Sequence, residues 1–483
     1  MTAFPNVIPG RLYIDGEWRS ATSGLTREVF DPATEGPIGT IEQASAEDVD
    51  AALASAQRGL AIWRNTDAWT RSAKIRRVAE ILREWIPQAA QLMTDEQGKP
   101  LRESEAEWNA AVDQFDWYAD EARRIYGRTV DGHTTANRIL VRREPIGVVA
   151  AFAAWNFPAL LPARKIAPAL AAGCSVIVRP TEEAPFSTVL IAKACEAAGI
   201  PAGVITILTG RASQISEQLI SSGVVRKISL TGSGPVGRTL LHLAADNMVA
   251  VSMELGGHAP VLVFEDADIE AAARACVASK FRNTGQVCAS PSRFIVQESV
   301  AERFSEAFVA ATRELRVGDG RDPATTVGPL TNAKRVVEAE ELIEDAVAGG
   351  ATVAAGGKRD ERFAKGYFFE PTVLVDVPEG SKILRDEPFA PVAPIVTFDT
   401  LDRAIEIANS TVFGLASYVW TRDLRTAFLA SERIEAGMVG VNNMAVATAE
   451  SPFGGVKESG FGREGGSEGI LDYTVAKATL ITL

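Results

Sequence analysis

One cysteine of the chain, Cys288, stands in a segment whose composition favours chemistry over packing. The segment FRNTGQVCASPSR, residues 281–293, surrounds its thiol with polar or small residues that suit a turn better than a helix interior. Upstream, the segment MELGG at 253–257 places the carboxylate of Glu254 close to two glycines. A thiol and a carboxylate in such segments can supply a nucleophile and a general base. The pair therefore predicts covalent catalysis through a thiolate.

A structural role for the cysteines is the alternative, because free cysteine is among the most buried residue types. The chain holds four cysteines. Cys195 and Cys276 lie in alanine-rich helical patterns, and together with Cys174 they suit small buried positions. The context of Cys288 differs from theirs because its segment is polar and rich in turn residues.

Alternating strands and helices must position these groups, and the pattern is clearest between residues 147 and 233. Apolar runs predict strands at 147–153, 175–179, 204–208 and 226–230. Helical patterns that end at glycine or proline separate them, at 163–172 and 186–198. Apolar strands separated by helices indicate a parallel sheet covered on both faces. The fold class is therefore α/β.

Length, charge and cysteine content argue against several classes of protein. A chain of 483 residues is too long for one core and should divide into two or three domains. Its net charge of −13 disfavours a nucleic-acid partner or an anionic membrane surface, because both attract basic patches. Four cysteines do not make a disulfide framework in a chain of this size, and they suit a reducing compartment.

Two segments bear on location. Residues 1–18 lack the charged-then-apolar layout of a secretory signal peptide. Residues 146–163 carry no charge and approach the length of a membrane-spanning helix, but Asn156, Pro158 and Pro162 interrupt them. This segment predicts a buried strand, a polar loop and a helix. We expect a cytoplasmic protein that spans no membrane.

The segment LTGSGPVG at 230–237 predicts a phosphate-binding turn. It has the spacing G-x-G-x-x-G, follows a predicted strand and precedes the helical pattern VGRTLLHLAADN. The spacing alone is a weak signal in a chain with 40 glycines. It would also assign Glu254 to the ribose of a dinucleotide. We assign Glu254 to the chemistry instead, because it opens the MELGG segment.

Several ordered motifs give the chain a family resemblance. It resembles the aldehyde dehydrogenase superfamily over essentially its whole length. Within that superfamily the chain most resembles the branch of succinate semialdehyde and α-ketoglutaric semialdehyde dehydrogenases. The matching segments are GEW (16–18), GKP (98–100), WNFP (155–158), RPTE (179–182), LTGSGPVG (230–237), MELGG (253–257), GQVC (285–288), EPFAPV (387–392), FGLA (413–416) and PFGGVKESGFGREG (452–465). The resemblance implies oxidation of a small-molecule aldehyde to a carboxylic acid.

The resemblance also implies catalytic roles. Cys288 would attack the aldehyde and form a thiohemiacetal, whose oxyanion the side-chain amide of Asn156 and the backbone N–H of Cys288 would stabilise. Hydride transfer would leave a thioester, and Glu254 would activate the water that hydrolyses it. The three histidines match no catalytic position of the family, so a Cys–His mechanism is not expected. Neither is a metal.

NAD is the implied cofactor, with NADP as a second candidate. Glu182 would bind the adenine ribose hydroxyls and repel a 2′-phosphate, whereas Arg179, in place of the family's usual lysine, could attract that phosphate. Gly232 and Ser233 would approach the pyrophosphate, and Glu387 and Phe389 would position the nicotinamide ribose and ring. The remaining predicted cofactor-binding residues are Trp155, Thr181, Gly210, Val236 and Leu255.

Substrate choice is assigned from the semialdehyde branch. There two arginines clamp the distal carboxylate, and the matching positions are Arg164 and Arg282. Surface ion pairs elsewhere are the structural alternative for both. Phe453 is a further predicted contact. The branch also uses a serine before PFGG, where this chain offers only the hydroxyl of Thr448.

Other functions stay open at this point. The same chemistry could act on aromatic or other aliphatic aldehydes. An acylating dehydrogenase would pass the thioester to coenzyme A, although such relatives generally lack the glutamate found here at 254. A noncatalytic binding or structural protein could also share the scaffold, although the intact Cys288, Glu254 and Asn156 argue against it.

The resemblance implies three domains. A Rossmann-type parallel-sheet cofactor domain would comprise 1–125 and 148–254, and an α/β catalytic domain 255–465. A β oligomerisation arm would comprise 126–147 and 466–483, whose ending VAKATLITL alternates like a pairing strand. A homodimer or homotetramer is expected.

Overall fold

The structure is a computed structural model that describes residues 2–5 and 10–483. The expectation of no signal peptide rests partly on residues 1 and 6–9, which lie outside the described residues. The strands are β1 (Leu12–Ile14), β2 (Glu17–Arg19), β3 (Thr26–Phe30), β4 (Pro37–Glu42), β5 (Arg128–Asp131), β6 (Asn137–Pro145), β7 (Val148–Phe152), β8 (Ser175–Arg179), β9 (Ile205–Ile207), β10 (Val225–Thr231), β11 (Ala250–Glu254), β12 (Ala259–Val263), β13 (Pro291–Gln297), β14 (Thr352–Ala355), β15 (Thr372–Val375), β16 (Val392–Phe398), β17 (Ala416–Trp420), β18 (Met438–Val441), β19 (Gly460–Phe461) and β20 (Thr474–Thr482).

The helices alternate with these strands along most of the chain. They are α1 (Ala46–Trp63), α2 (Ala68–Gln97), α3 (Leu101–Glu121), α4 (Leu160–Ala172), α5 (Phe186–Ala197), α6 (Ala212–Ser221), α7 (Gly234–Asn247), α8 (Ile269–Lys280), α9 (Ala301–Arg313), α10 (Ala333–Gly349), α11 (Leu401–Asn409), α12 (Leu424–Arg433) and α13 (Gly466–Leu471). Short 3-10 helices occupy Arg282–Gly285, Glu298–Val300, Lys382–Leu384 and Lys457–Ser459.

The first sheet has the strand order β19-β11-β10-β7-β8-β9-β1-β2. Five consecutive strands of this sheet, β11, β10, β7, β8 and β9, run parallel, which confirms the predicted parallel sheet. Alternate residues of β7 enter different cores: Val149 and Ala151 pack in one, whereas Val148 and Ala150 pack in the other. Both faces are therefore buried, and this explains why the strand is apolar at every position.

The uncharged stretch 146–163 forms β7, a turn and the start of α4, as predicted. Helix α4 begins earlier than expected, at Leu160, because Pro162 falls in the first turn, where its missing N–H removes no helical hydrogen bond. Gly173 ends the helix in the left-handed conformation, with φ of 92°. None of the helices in the described ranges combines the length and apolar character needed to cross a membrane.

Three further sheets lie in the described part of the chain. One has the order β14-β15-β16-β13-β12-β17-β18, the second is the three-stranded antiparallel sheet β20-β6-β5, and the third is the antiparallel pair β3-β4. Nearly all of β20 is exposed, including the apolar side chains of Leu480 and Ile481. We propose that the three larger sheets mark the three domains predicted from the sequence. β19, from the segment 255–465, nevertheless pairs with β11 of the first sheet.

The carboxyl ends of three neighbouring parallel strands carry predicted site residues. Asn156 lies in the turn after β7, Gly232 follows β10, and Glu254 is the last residue of β11. Cys288 lies in the segment that leads from α8 into β13 of the second sheet. Crevices at the carboxyl edge of an α/β sheet are where ligands bind in such folds.

Candidate active site

The segment before Cys288 holds an unusual backbone conformation. Asn283 and Thr284 adopt left-handed φ values of 48° and 57°, which non-glycine residues seldom do. The backbone N–H of Asn283 donates to Glu103 Oε2 at 2.7 Å, and Thr284 Oγ1 donates to the carbonyl of Gly328 at 2.9 Å. A side chain and a backbone carbonyl from outside the segment therefore hold the turn that presents the thiol.

Glycine is required at the next position of this turn. Gly285 has a φ of 75°, and a Cβ there would lie 2.3 Å from the carbonyl oxygen of Ala390. Neither the backbone conformation nor the neighbouring backbone of Ala390 leaves room for a side chain. The glycine of GQVC thus brings the turn against the EPFAPV segment, just before β16.

The half-buried thiol of Cys288 lies between two cavities. It lines a larger cavity of about 350 Å³ and a smaller one of about 130 Å³. Burial raises the pKa of the thiol to about 12, while the positive charge of Arg164 acts in the opposite direction. A ligand in either cavity would therefore reach the sulfur, and a nearby positive charge would promote the thiolate.

Asn156 is buried beside the same sulfur in the smaller cavity. Its Nδ2 donates to the carbonyl of Gln286 at 3.1 Å. The backbone carbonyl of Asn156 accepts from Lys99 Nζ at 2.8 Å and from Asn283 Nδ2 at 2.9 Å, so hydrogen bonds fix both its backbone and its side chain. An amide nitrogen carries two N–H groups, and within the described residues only one of them donates a hydrogen bond. The other can donate to a ligand oxygen.

Glu254 is almost fully buried, and neither of its carboxylate oxygens has a hydrogen-bond partner within residues 2–5 and 10–483. Burial, and then the negative charge of Glu464, raise the pKa of Glu254 well above its usual range. A Cβ on Gly454 would lie 2.9 Å from Glu254 Oε1, so the glycine of PFGG makes room for the carboxylate. Such a carboxyl is poised to act as a base.

A buried ion pair beside Glu254 was not predicted from the sequence. Lys165 Nζ donates to Glu464 and, at 2.7 Å, to Thr231 Oγ1. The charge of Lys165 lowers the pKa of Glu254 while that of Glu464 raises it, so the pair tunes the candidate base. The two residues are 299 positions apart, and the sequence carries no local signal that joins them.

The smaller cavity is lined by several of the residues that were predicted to bind the cofactor. It is lined by Trp155, Gly232, Ser233, Leu255, Glu387 and Phe389, together with Asn156 and Cys288. The rings of Trp155 and Phe389 meet edge to face, with centroids 5.5 Å apart. Glu387 accepts from the backbone N–H of Gly257 at 3.0 Å, and burial raises the pKa of this carboxyl to about 7.

These residues fit a dinucleotide. Helix α7 begins after Ser233 with no side-chain cap, so the backbone N–H groups of Gly234 and Val236 can bind a phosphate, whereas Pro235 between them has no N–H. Arg179 donates to the carbonyl of Gly210 at 2.9 Å and forms a salt bridge with Glu182. Thr181 is buried and donates to Glu183. The predicted residues outside the cavity thus lie at or just after the carboxyl ends of β8 and β9. Val236 is the exception, because it lies on α7 and is half-exposed.

The larger cavity combines apolar walls with guanidinium groups. The buried side chain of Arg164 lies over the ring of Phe453 at 4.2 Å, and its Nε and Nη2 have no partner in the described part of the chain. Arg282 lies at the exposed side, 5.6 Å from the ring of Phe157. The lining also includes Leu160, Leu161, Ala106, Ala110 and, unpredicted, Arg102, Lys99 and the carboxylates of Glu103 and Glu107.

The structure does not bring Thr448 into this cavity. Its side chain is exposed, and the residue that lines the cavity there is its neighbour Ala447. A contact between the Thr448 hydroxyl and a ligand remains a prediction that would require the loop to move. Phe453, by contrast, lines the cavity and lies directly against Arg164.

Comparisons with known proteins show what the chain resembles. The sequence profile of the aldehyde dehydrogenase family matches residues 18–479. The chain is 44% identical to the glutarate-semialdehyde dehydrogenase of Pseudomonas putida, over 98% of this chain and 97% of that protein. It is 43% identical to the NADP(+) succinate-semialdehyde dehydrogenase of Escherichia coli, over 99% of both. A crystal structure of betaine aldehyde dehydrogenase from Staphylococcus aureus in complex with NAD⁺ matches with a TM-score of 0.96 at 34% identity, covering 98% and 95% of the two chains.

Proposed function

The chain belongs to the aldehyde dehydrogenase family, and from this premise we propose that it oxidises a carboxylate-bearing semialdehyde through Cys288. The family and the semialdehyde dehydrogenases at 43–44% identity establish NAD(P)-dependent oxidation of an aldehyde. The observation that carries the substrate proposal is Arg164. A buried guanidinium with unpartnered nitrogens, in a cavity that opens on the thiol, can bind the carboxylate of a substrate.

The first step is the attack of the Cys288 thiolate on the aldehyde carbon. A C–S bond forms, and the carbonyl electrons move to oxygen. The side-chain N–H of Asn156 and the backbone N–H of Cys288 stabilise the resulting oxyanion. The aldehyde itself carries no such charge, so these hydrogen bonds are stronger after the attack than before it. Burial raises the pKa of the Cys288 thiol, and the positive charge of Arg164 opposes this effect and favours the thiolate.

The second step breaks the C–H bond of the thiohemiacetal. Bound NAD(P)⁺ supplies the acceptor for the hydride. The carbonyl re-forms and leaves a thioester on Cys288. The residues of this chain that support the step are those of the smaller cavity, where Trp155, Leu255 and Phe389 provide an apolar wall and Glu387 provides a hydrogen-bond acceptor.

Hydrolysis completes the reaction. We propose that Glu254 removes a proton from water while the water oxygen adds to the thioester carbon. The C–S bond then breaks, the carboxylic acid leaves, and the thiolate is regenerated. Glu254 lines neither cavity in the structure, so its side chain must turn from Gly454 toward Cys288 to act. Its raised pKa makes it a stronger base than an exposed carboxylate.

The larger cavity suits a short anionic aldehyde, and succinate semialdehyde and α-ketoglutaric semialdehyde are the substrates we propose. Arg164 and Arg282 would bind the distal carboxylate, and Phe453 with the leucines would enclose the methylenes. The cavity volume of about 350 Å³ also favours a second candidate, an aromatic or longer aliphatic aldehyde. A panel of C4–C6 semialdehydes and aromatic aldehydes, followed by NADH absorbance with and without coenzyme A, tests these proposals and the acylating alternative.

Replacing Arg282 or Arg164 by glutamine should raise KM for the semialdehyde by roughly 10- to 100-fold. This range corresponds to the binding free energy lost with one charge-assisted hydrogen bond. KM for an uncharged aldehyde of equal length should stay within about twofold, because no carboxylate is lost. Steady-state kinetics with both substrates measure this. Arg274→Gln, at an exposed position on α8, is the matched control.

An equal rise in KM for the uncharged aldehyde would contradict carboxylate binding, because it would show that the arginines only shape the cavity. Arg282 is the safer variant for this test, since its side chain is exposed, whereas Arg164 is buried. A substrate panel in which no aldehyde is turned over would contradict the proposed function as a whole.

We further propose a homodimer or homotetramer built through the exposed three-stranded sheet. The edge strand β20 and its apolar side chains Leu480 and Ile481 offer a pairing surface. We also propose a cytoplasmic location. Its support is that all four cysteines are free thiols, as expected in a reducing compartment.

A further inference from the structure

We propose that Arg27 enables the nucleotide site to accept the 2′-phosphate of NADP⁺ beside Glu182. This inference rests on the proposed cofactor role of the residues after β8. It adds a residue of β3 that belongs to none of the motifs discussed above. The sequence gives no reason to place it there, because Arg27 and Glu182 are 155 positions apart.

Glu182 lies where an adenine ribose is expected. It follows the carboxyl end of β8, and only β7 separates β8 from β10, whose end leads into the phosphate-binding start of α7. At this edge of a doubly wound sheet an acidic side chain binds ribose hydroxyls, whereas an arginine accommodates a 2′-phosphate. An unpaired Glu182 would therefore select NAD⁺.

Both carboxylate oxygens of Glu182 are occupied by guanidinium groups. Oε2 accepts from Nη1 of Arg27, and Oε1 pairs with Nη2 of Arg179 at 3.0 Å. Glu183, which also lies close to Arg179, adds a second negative charge. The four side chains together are neutral, whereas without Arg27 they would carry a net negative charge. Arg27 thus removes the repulsion that a 2′-phosphate would otherwise meet.

The side chains of Arg27 and Arg179 differ in how freely they can move. Arg179 is 12% exposed and fixed by two hydrogen bonds to the carbonyl of Gly210, at 3.2 and 2.9 Å. Arg27 is 51% exposed, and a bridge at such a position is weak. Its guanidinium can leave Glu182 at little cost and meet a phosphate with a planar pair of donors. Arg179 then keeps Glu182 paired.

Equilibrium binding to the full-length protein tests this inference. Isothermal titration with NADP⁺ and with NAD⁺ should show that the unchanged protein binds both. Arg27→Ala should weaken NADP⁺ binding about tenfold, the loss of one charge-assisted contact, and change NAD⁺ binding by less than about twofold. Arg27→Lys should retain part of the NADP⁺ affinity, because it keeps the charge without the planar donors.

Arg58→Ala is the matched control. Arg58 is 58% exposed and forms a salt bridge with Asp15 at 2.8 Å, and its loss should leave both affinities unchanged. An equal effect of Arg27→Ala on both nucleotides, or no effect on either, overturns the inference, as does a wild-type protein that binds NAD⁺ but not NADP⁺. Binding needs no turnover, so a protein that oxidises no aldehyde but shows the tenfold change would contradict the proposed function and not this inference.

Discussion

Replacing Cys288 by alanine should lower kcat/KM for any aldehyde substrate by about 10⁴-fold or more. The expected loss is this large because both later steps, hydride transfer and hydrolysis, act on carbon that is bonded to the Cys288 sulfur. Nucleotide binding should persist, because the smaller cavity keeps its other lining residues. Steady-state NADH formation and nucleotide titration measure the two properties separately.

Cys276 provides the matched control for this variant. It is a fully buried free cysteine on α8 that lines neither cavity, and burial raises the pKa of its thiol far above the usual range. Cys276→Ala should therefore keep kcat/KM within a few-fold of wild type, with at most a small loss of stability from the lost packing. Retention of dehydrogenase activity in Cys288→Ala would overturn the covalent mechanism.

Replacing Glu254 by glutamine should lower kcat by roughly 10²- to 10⁴-fold, the usual contribution of a general base. Glutamine keeps the size of the side chain but cannot take the proton of water. Glu458→Gln, at an exposed carboxylate that pairs with Arg238, is the matched control and should keep kcat unchanged. A Glu254→Gln variant with wild-type kcat would show that another group activates the water.

The pH dependence of the same pair of proteins provides a second measurement. Glu254 acts as a base only when ionised, and burial and Glu464 raise its pKa well above the usual range. The ionised fraction, and with it wild-type kcat, should therefore keep rising with pH above the range in which an exposed glutamate is already fully charged. In Glu254→Gln this rise should disappear. An identical pH profile in both proteins would contradict the assignment.

Much of the scaffold could be predicted because its signals are local. The strand 175–179 has the predicted bounds, and the glycine after α4 adopts the conformation expected of a helix end. The cluster of Cys288, Asn156 and the smaller cavity follows from motifs that each lie at the end of one strand or in one turn. Such features depend on residues close in sequence, which patterns can detect.

The tuning of the site could not be predicted in this way. The pairing of Lys165 with Glu464 and that of Arg27 with Glu182 join segments far apart in the chain, and a charged residue in a helix or strand gives no sign of its partner. Loop placement was also beyond the sequence. A hydroxyl at 448 suggested a substrate contact, whereas the loop turns Ala447 toward the cavity.

The most direct test of the covalent mechanism is the mass of the enzyme during turnover. Wild-type protein and Glu254→Gln would be mixed with NAD⁺ and semialdehyde, quenched in acid, digested and examined by mass spectrometry. We predict an acyl adduct on the peptide that contains Cys288, with a larger fraction acylated in the variant, because its thioester is hydrolysed more slowly. NADH formation without an adduct, or an adduct confined to Cys174, Cys195 or Cys276, would contradict the mechanism.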